Sequence, residues 1–136
     1  MSSTNEPEPP EYLEEDKITL LNELKQREIK HSPEKIVFVV KTREGAIVFL
    51  ETGDVYSGLQ HILGKVPQFV RQGISEREIV TAIATAITEG EIVGYQGTGK
   101  NPRPIYQFVF KGEIKYIAIS IANNGYIVGA NPRSKP

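Results

Sequence analysis

Glu113-Ile114-Lys115-Tyr116-Ile117-Ala118-Ile119-Ser120-Ile121-Ala122-Asn123-Asn124-Gly125-Tyr126-Ile127-Val128-Gly129-Ala130-Asn131 decides the fold class of this chain. Isoleucines recur at 117, 119 and 121 between residues of other kinds. That period of two belongs to a strand with one apolar face. Asn124-Gly125 joins two such runs and signals a two-residue hairpin turn. Counting outward from it sets Ile121 against Val128 and Ile119 against Ala130. Lys111-Gly112 is a second turn of this kind, setting Phe108 against Lys115 and Tyr106 against Ile117. The C-terminal third therefore reads as strands over 91–96, 104–110, 113–122 and 126–131.

Alternation then sorts side chains onto two faces. Tyr106, Phe108, Phe110, Ile117, Ile119, Ile121 and Val128 share an apolar face, expected to pack on a helix. The other face carries Arg103, Gln107, Tyr116, Ser120 and Asn131, spaced by the small residues Ala118, Ala122 and Gly129. Small residues beside convergent polar ones leave room for a ligand. The competing reading is the solvent side of a half-exposed antiparallel sheet.

Upstream, Ser75 and Glu78 have capping-box spacing, and Ile74 with Ile79 has that of a hydrophobic staple. Ile79, Ala82, Ile83, Ala86 and Ile87 continue as one helical apolar face, stopped at Gly90. Residues 36–40 and 46–50 are β-branched and aromatic runs around Thr42-Arg43-Glu44-Gly45, which predicts a hairpin. Ile18, Leu20, Leu21 and Leu24 predict an amphipathic helix within 13–30, before the Ser32-Pro33 break. The order is helix, two strands, two helices and four strands: α+β, with an antiparallel sheet of four C-terminal strands packed on helices, preceded by a β-hairpin and an N-terminal helix.

The chain has 136 residues, which suits a single domain over 13–136. It has no cysteine, which excludes disulfides and thiol chemistry, and two histidines, too few for a histidine-rich metal site. Neither a metal nor a cofactor is expected. No apolar run approaches membrane-spanning length and no signal pattern opens the chain, so a soluble cytoplasmic protein is expected. The net charge of −1 conceals an asymmetry. Six acids and no base precede Lys17, three of them in the proline-containing stretch read as a disordered tail over residues 1–12. From Lys17 onward 16 bases face 11 acids, a formal +5. That excess suits a polyanion such as RNA, or simply a mildly basic solvated surface.

His61 lies in Tyr56-Ser57-Gly58-Leu59-Gln60-His61-Ile62-Leu63-Gly64-Lys65, read as one short helix with Ser57, His61 and Lys65 along a stripe. An unperturbed imidazole exchanges protons near neutral pH, although a lone helical histidine is more often structural. Gly97-Thr98-Gly99-Lys100-Asn101-Pro102-Arg103 lacks phosphate-loop spacing and precedes a strand, yet it can bring Lys100 and Arg103 to an anionic substrate.

Gly58-Leu59-Gln60-His61-Ile62 with Lys65, then Arg103 and Tyr106, then Asn124-Gly125-Tyr126-Ile127-Val128 follow in an order that resembles the superfamily of small ribonuclease toxins including barnase, EndoU, colicin nuclease domains and RelE, and within it phage- and polymorphic-toxin-associated domains. The resemblance covers about residues 55–132. It implies a metal-independent endoribonuclease of the small bacterial toxin type, RNA as partner, and an inhibitor or immunity-type protein. Two positions depart from its pattern: Val66 stands where a second histidine is usual, and Gly129-Ala130-Asn131 replaces a hydroxyl-bearing ending.

Cleavage by a ribose 2′-hydroxyl needs a proton acceptor, a proton donor and positive charge at the phosphoryl oxygens. The candidate catalytic residues are His61 for proton transfer, Arg103 for charge and Tyr116 to donate or orient. Lys65 and Lys100 are candidates to bind phosphate, and Gln107, Ser120 and Asn131 to bind ribose or base edges. The alternatives are a catalytically inactive RNA- or protein-binding module on the same fold, and a regulatory domain whose acidic tail docks on a partner.

Overall fold

The computed structural model describes residues 11–136, with side chains from residue 17 onward. Most of the expected acidic tail lies outside the described residues. Helix α1 spans Glu11–Gln26, so it takes in the last two residues assigned to that tail and ends four short of the expected 30. Among its described side chains Leu20 and Leu24 are buried, whereas Ile18 is exposed. The hairpin β1 (Ile36–Lys41) and β2 (Ile47–Glu51) forms as expected.

This hairpin is a middle layer. Val39, Ile47 and Phe49 face α1, joining Leu20 and Leu24 in a small core. Phe38, Val40, Val48 and Leu50 face the opposite way, into the main core. Burial on both sides explains why both strands read as unbroken apolar runs instead of alternating ones.

The chain then turns through α2 (Leu59–Leu63) and α3 (Val66–Arg71), two short helices where one was expected. Lys65 is the junction residue between them, and Ser57 lies before the first, so no continuous helical stripe exists. A 3-10 turn at Glu76–Glu78 leads into α4 (Ile79–Glu89). There Glu78 closes a capping box, its carboxylate accepting the Ser75 N–H at 2.9 Å. Ile74 and Ile79, the staple pair, are both fully buried. All five residues of the expected apolar face are buried, with Ala84 in addition.

The four C-terminal strands form one antiparallel sheet in sequence order: β3 (Glu91–Gln96), β4 (Arg103–Phe110), β5 (Glu113–Ile121) and β6 (Ile127–Arg133). Helix α4 covers the face carrying Tyr106, Phe108, Phe110, Ile117 and Ile119. The register of β4 and β5 follows the Lys111-Gly112 turn as counted, pairing Phe108 with Lys115 and Tyr106 with Ile117.

The β5–β6 hairpin departs from the count and then returns to it. Ala122 pairs with Tyr126, its N–H donating to the Tyr126 carbonyl at 2.8 Å, so the loop has three residues, with Gly125 at φ 95°. This moves Ile121 opposite Ile127 instead of Val128. A bulge at Val128 then absorbs the offset, and Ser120–Gly129 and Ile119–Ala130 pair as counted. Ile127, not Val128, consequently enters the core, and Val128 is only partly buried. β6 also runs two residues beyond the expected end, through Pro132 to Arg133. An edge strand tolerates a proline because one side of its backbone needs no partner.

Candidate functional site

The segment between β2 and α2 is tied into a compact loop. Asp54 Oδ1 accepts the N–H groups of Tyr56 at 2.8 Å and Ser57 at 3.2 Å, and the Asp54 N–H donates to the Ser57 carbonyl at 2.9 Å. Such a turn is a local habit of aspartate. Gly53 and Gly58 close it back to back, at φ 65° and 85°. A Cβ on Gly53 would strike the Ser57 carbonyl, and one on Gly58 would come within 2.9 Å of the Glu51 carbonyl. The loop is pinned to the sheet by Gly58 N–H donating to Val128 O at 3.0 Å and by the Ser57 and Tyr126 hydroxyls, 2.8 Å apart.

That loop aims the Val55 carbonyl at His61 Nδ1, 2.9 Å away. A carbonyl only accepts, so in the neutral ring Nδ1 carries the hydrogen and Nε2 keeps its lone pair. The imidazole lies against β6 at Gly129. A Cβ there would meet His61 Cδ2 at 3.4 Å, Nε2 at 3.6 Å and Ser120 Oγ at 3.5 Å. Nε2 and the Ser120 hydroxyl thus both border the space above Gly129, and that hydroxyl donates to the Gly129 carbonyl at 3.3 Å.

Side chains on this face fall into cross-strand rows. The first joins Gly129 to Ser120, and the β4–β5 register carried two pairs beyond Ile105–Ala118 sets Arg103, itself paired with Gln96, opposite Ser120. The second row is Asn131, Ala118, Ile105 and Gly94, and the Lys65 ammonium bonds to Asn131 Oδ1. Burial, and after it the nearby Arg103 charge, hold the Lys65 pKa below the ordinary lysine value. The third row is Arg133, Tyr116 and Gln107. Arg133 reaches across the sheet to donate to Gln96 Oε1 at 3.0 Å, and Ile105 and Ala118 on the same face are buried. The face is thus a partly roofed concavity and not a bare solvent side.

His61, Lys65, Arg103, Ser120 and Asn131 come together in the first two rows, and Lys100 borders a groove that also contains Arg103 and Ser120. Tyr116 and Gln107 stand apart from His61: Tyr116 is four residues along β5 from Ser120, about 13 Å. Ser57, placed on a stripe with His61 by spacing, turns away to Tyr126. His31 belongs to the other sheet, where Nδ1 meets the Ile29 carbonyl at 2.8 Å and the ring edges onto Phe49.

Three contributors escaped the reading of the sequence: Asp54, the Val55 carbonyl and Arg133. Asp54 had a visible signal, since Gly53-Asp54 and Gly58 bracket a short polar turn just before the histidine. Arg133 lies beyond Pro132, where the strand was taken to stop. Among the described residues, no three His, Cys, Asp or Glu side chains are grouped to hold a metal ion, and no helix is long and apolar enough to cross a membrane. No protein-family model matches this chain, and no curated protein matches its sequence.

Proposed function

We propose that this chain is a small cytoplasmic endoribonuclease that cuts RNA by attack of the ribose 2′-hydroxyl on the adjacent phosphate. The observation that carries the reading is His61: its Nδ1 is occupied by the Val55 carbonyl, and its Nε2 faces the Gly129–Ser120 row, with Lys65 and Arg103 nearby. In this reading Nε2 takes the 2′ proton as the 2′ oxygen bonds to phosphorus. The bond from phosphorus to the 5′ oxygen breaks, leaving a 2′,3′-cyclic phosphate. The departing oxygen takes a proton from Lys65, whose lowered pKa makes the ammonium a better donor than an ordinary lysine. Arg103 and Lys100 neutralise the phosphoryl oxygens, Arg103 through a planar fork of donors. Ser120, Asn131, Gln107 and Tyr116 line the path of the flanking ribose and base. An inhibitor or immunity-type partner belongs to the same proposal.

Gly129 and Val66 favour a second reading, an RNA- or protein-binding module without catalysis. Gly129 brings no hydroxyl to the imidazole, and Val66 packs against the core and supplies no titratable group. Incubating the purified chain with RNA separates the two. Cleavage products ending in cyclic phosphate, with a loss of about 10²–10⁴ in rate for His61→Ala, support the enzyme. Undiminished cleavage by His61→Ala removes His61 from the chemistry, and wild type that binds RNA without cutting it leaves the binding module.

A further inference from the structure

The hydrogen-bonded ladder between β4 and β5 stops short of the strand ends at one corner of the sheet. The β4–β5 ladder runs from Phe110–Glu113 to Ile105–Ala118 and ends there. Both strands nevertheless continue, β4 back to Arg103 and β5 on to Ile121. Carried onward, the register sets Pro104 against Ile119 and Pro102 against Ile121. The Ala122 N–H points toward β6, where it donates to Tyr126. By alternation the backbone groups of Ile119 and Ile121 point toward β4. They meet two residues without an N–H, so the ladder cannot be zipped to its end.

An open groove of about 640 Å³ occupies this corner, the size of a site for a small molecule or one unit of a polymer. Tyr95, 62% exposed, forms part of its wall from the other face of the sheet, where it pairs with Pro104. Lys100 and Arg103 supply positive charge, and Ser120 joins the groove to the row beneath His61. An aromatic face and two cations are the elements with which proteins hold an unpaired nucleotide: rings stack on bases and cations follow the phosphates.

We infer that this corner receives one unpaired base of a single-stranded polynucleotide, stacked on Tyr95 with its flanking phosphate on Lys100 and Arg103. This rests on the RNA reading above and adds what selects the substrate. A base inside a duplex cannot reach the ring without leaving its partner, so the groove discriminates single strands from double strands. The two prolines serve this by leaving the ladder between β4 and β5 unfinished at this corner.

The test is fluorescence anisotropy with a labelled 2′-deoxy oligonucleotide, which lacks the attacking hydroxyl, presented as a single strand and as its duplex. Wild type, Tyr95→Phe and Tyr95→Leu are compared, with thermal melts to show that each is folded. Wild type should prefer the single strand. Tyr95→Phe keeps the ring and should stay within about twofold, while Tyr95→Leu should weaken single-strand binding by about 5- to 100-fold, the usual worth of one stacked base. Duplex binding, which rests on backbone charge, should change little in either variant. Single-strand affinity for Tyr95→Leu equal to wild type overturns the base site while leaving the RNA reading standing. Wild type that neither binds the oligonucleotide nor cuts RNA defeats that reading, and this inference with it.

Discussion

The two faces of the C-terminal sheet are built in opposite ways. Under α4, ten or more apolar side chains from helix and sheet form a continuous core, and the helix start is fixed by both a capping box and a staple. On the other face, polar side chains are held singly: His61 by one carbonyl and Lys65 by one amide. The first face is redundant, and the loss of one contact leaves many. The second is serial, with each group oriented by one neighbour. Stability should therefore be concentrated on one face and function on the other.

The sharpest test of that division is Phe108→Ala. It deletes an almost fully buried ring and should cost about 3–5 kcal/mol in denaturant unfolding. A cost below about 1 kcal/mol would mean that the α4 face is not the main core. Next in size is Asp54→Ala, which frees the loop that aims the Val55 carbonyl. It should forfeit part of the about 10²–10⁴ assigned to His61 while shifting the melting temperature little. Asp54→Asn, which keeps the accepting oxygen, should restore most of the rate. Equal rates for both variants would show that the loop does not set the imidazole.

Smaller again is Glu78→Gln, expected to cost about 0.3–1 kcal/mol at neutral pH, because it keeps the accepting oxygen but loses the charge beside Lys111 and the helix start. Lys111 first, and the Ser75 N–H second, hold the Glu78 pKa below its ordinary carboxylate value. The stabilisation is therefore complete above the unfolded-state pKa of about 4.3 and disappears as pH falls through the lower folded value. Wild type and Glu78→Gln should converge in thermal melts under strongly acidic conditions, and a gap that persists there would assign the effect to packing. The least effect is expected of His31→Ala, which should leave RNA cleavage unchanged, because that ring sits on Phe49 in the other core.

The redundant face was the legible one. Period-2 and period-3.6 patterns are written many times over in 79–87, 104–110 and 113–121, so one misplaced residue does not change the reading. The hairpin shows how far this tolerance extends. A three-residue loop displaced the count by one, the bulge at Val128 returned it, and only the pairing of Ile121 and the place of Val128 were misread. The serial face was legible only where residue type alone carried the signal, as for His61, Arg103 and Ser120. Its geometry depends on features with no period: an aspartate turn, a proline tolerated at a sheet edge, and two helices in place of one. Tyr116 and Gln107 had the correct face by alternation, but alternation says nothing of distance along the strand.

The pin between Ser57 and Tyr126 joins residues 69 apart in sequence, and Lys65 and Asn131 are 66 apart. Contacts of such separation need loop closure before they are rewarded, so they form later during folding than local ones. The α4 capping box, by contrast, spans three residues and can form as soon as its segment exists. A chain synthesised from its N-terminus acquires the capped helix well before the floor beneath His61. Until β6 docks, the imidazole has neither Gly129 to lie on nor the Val128 carbonyl that pins its loop. The arrangement around His61 is in this sense a property of the finished chain, and exchange of the Gly58 amide hydrogen reports directly on how often it is undone.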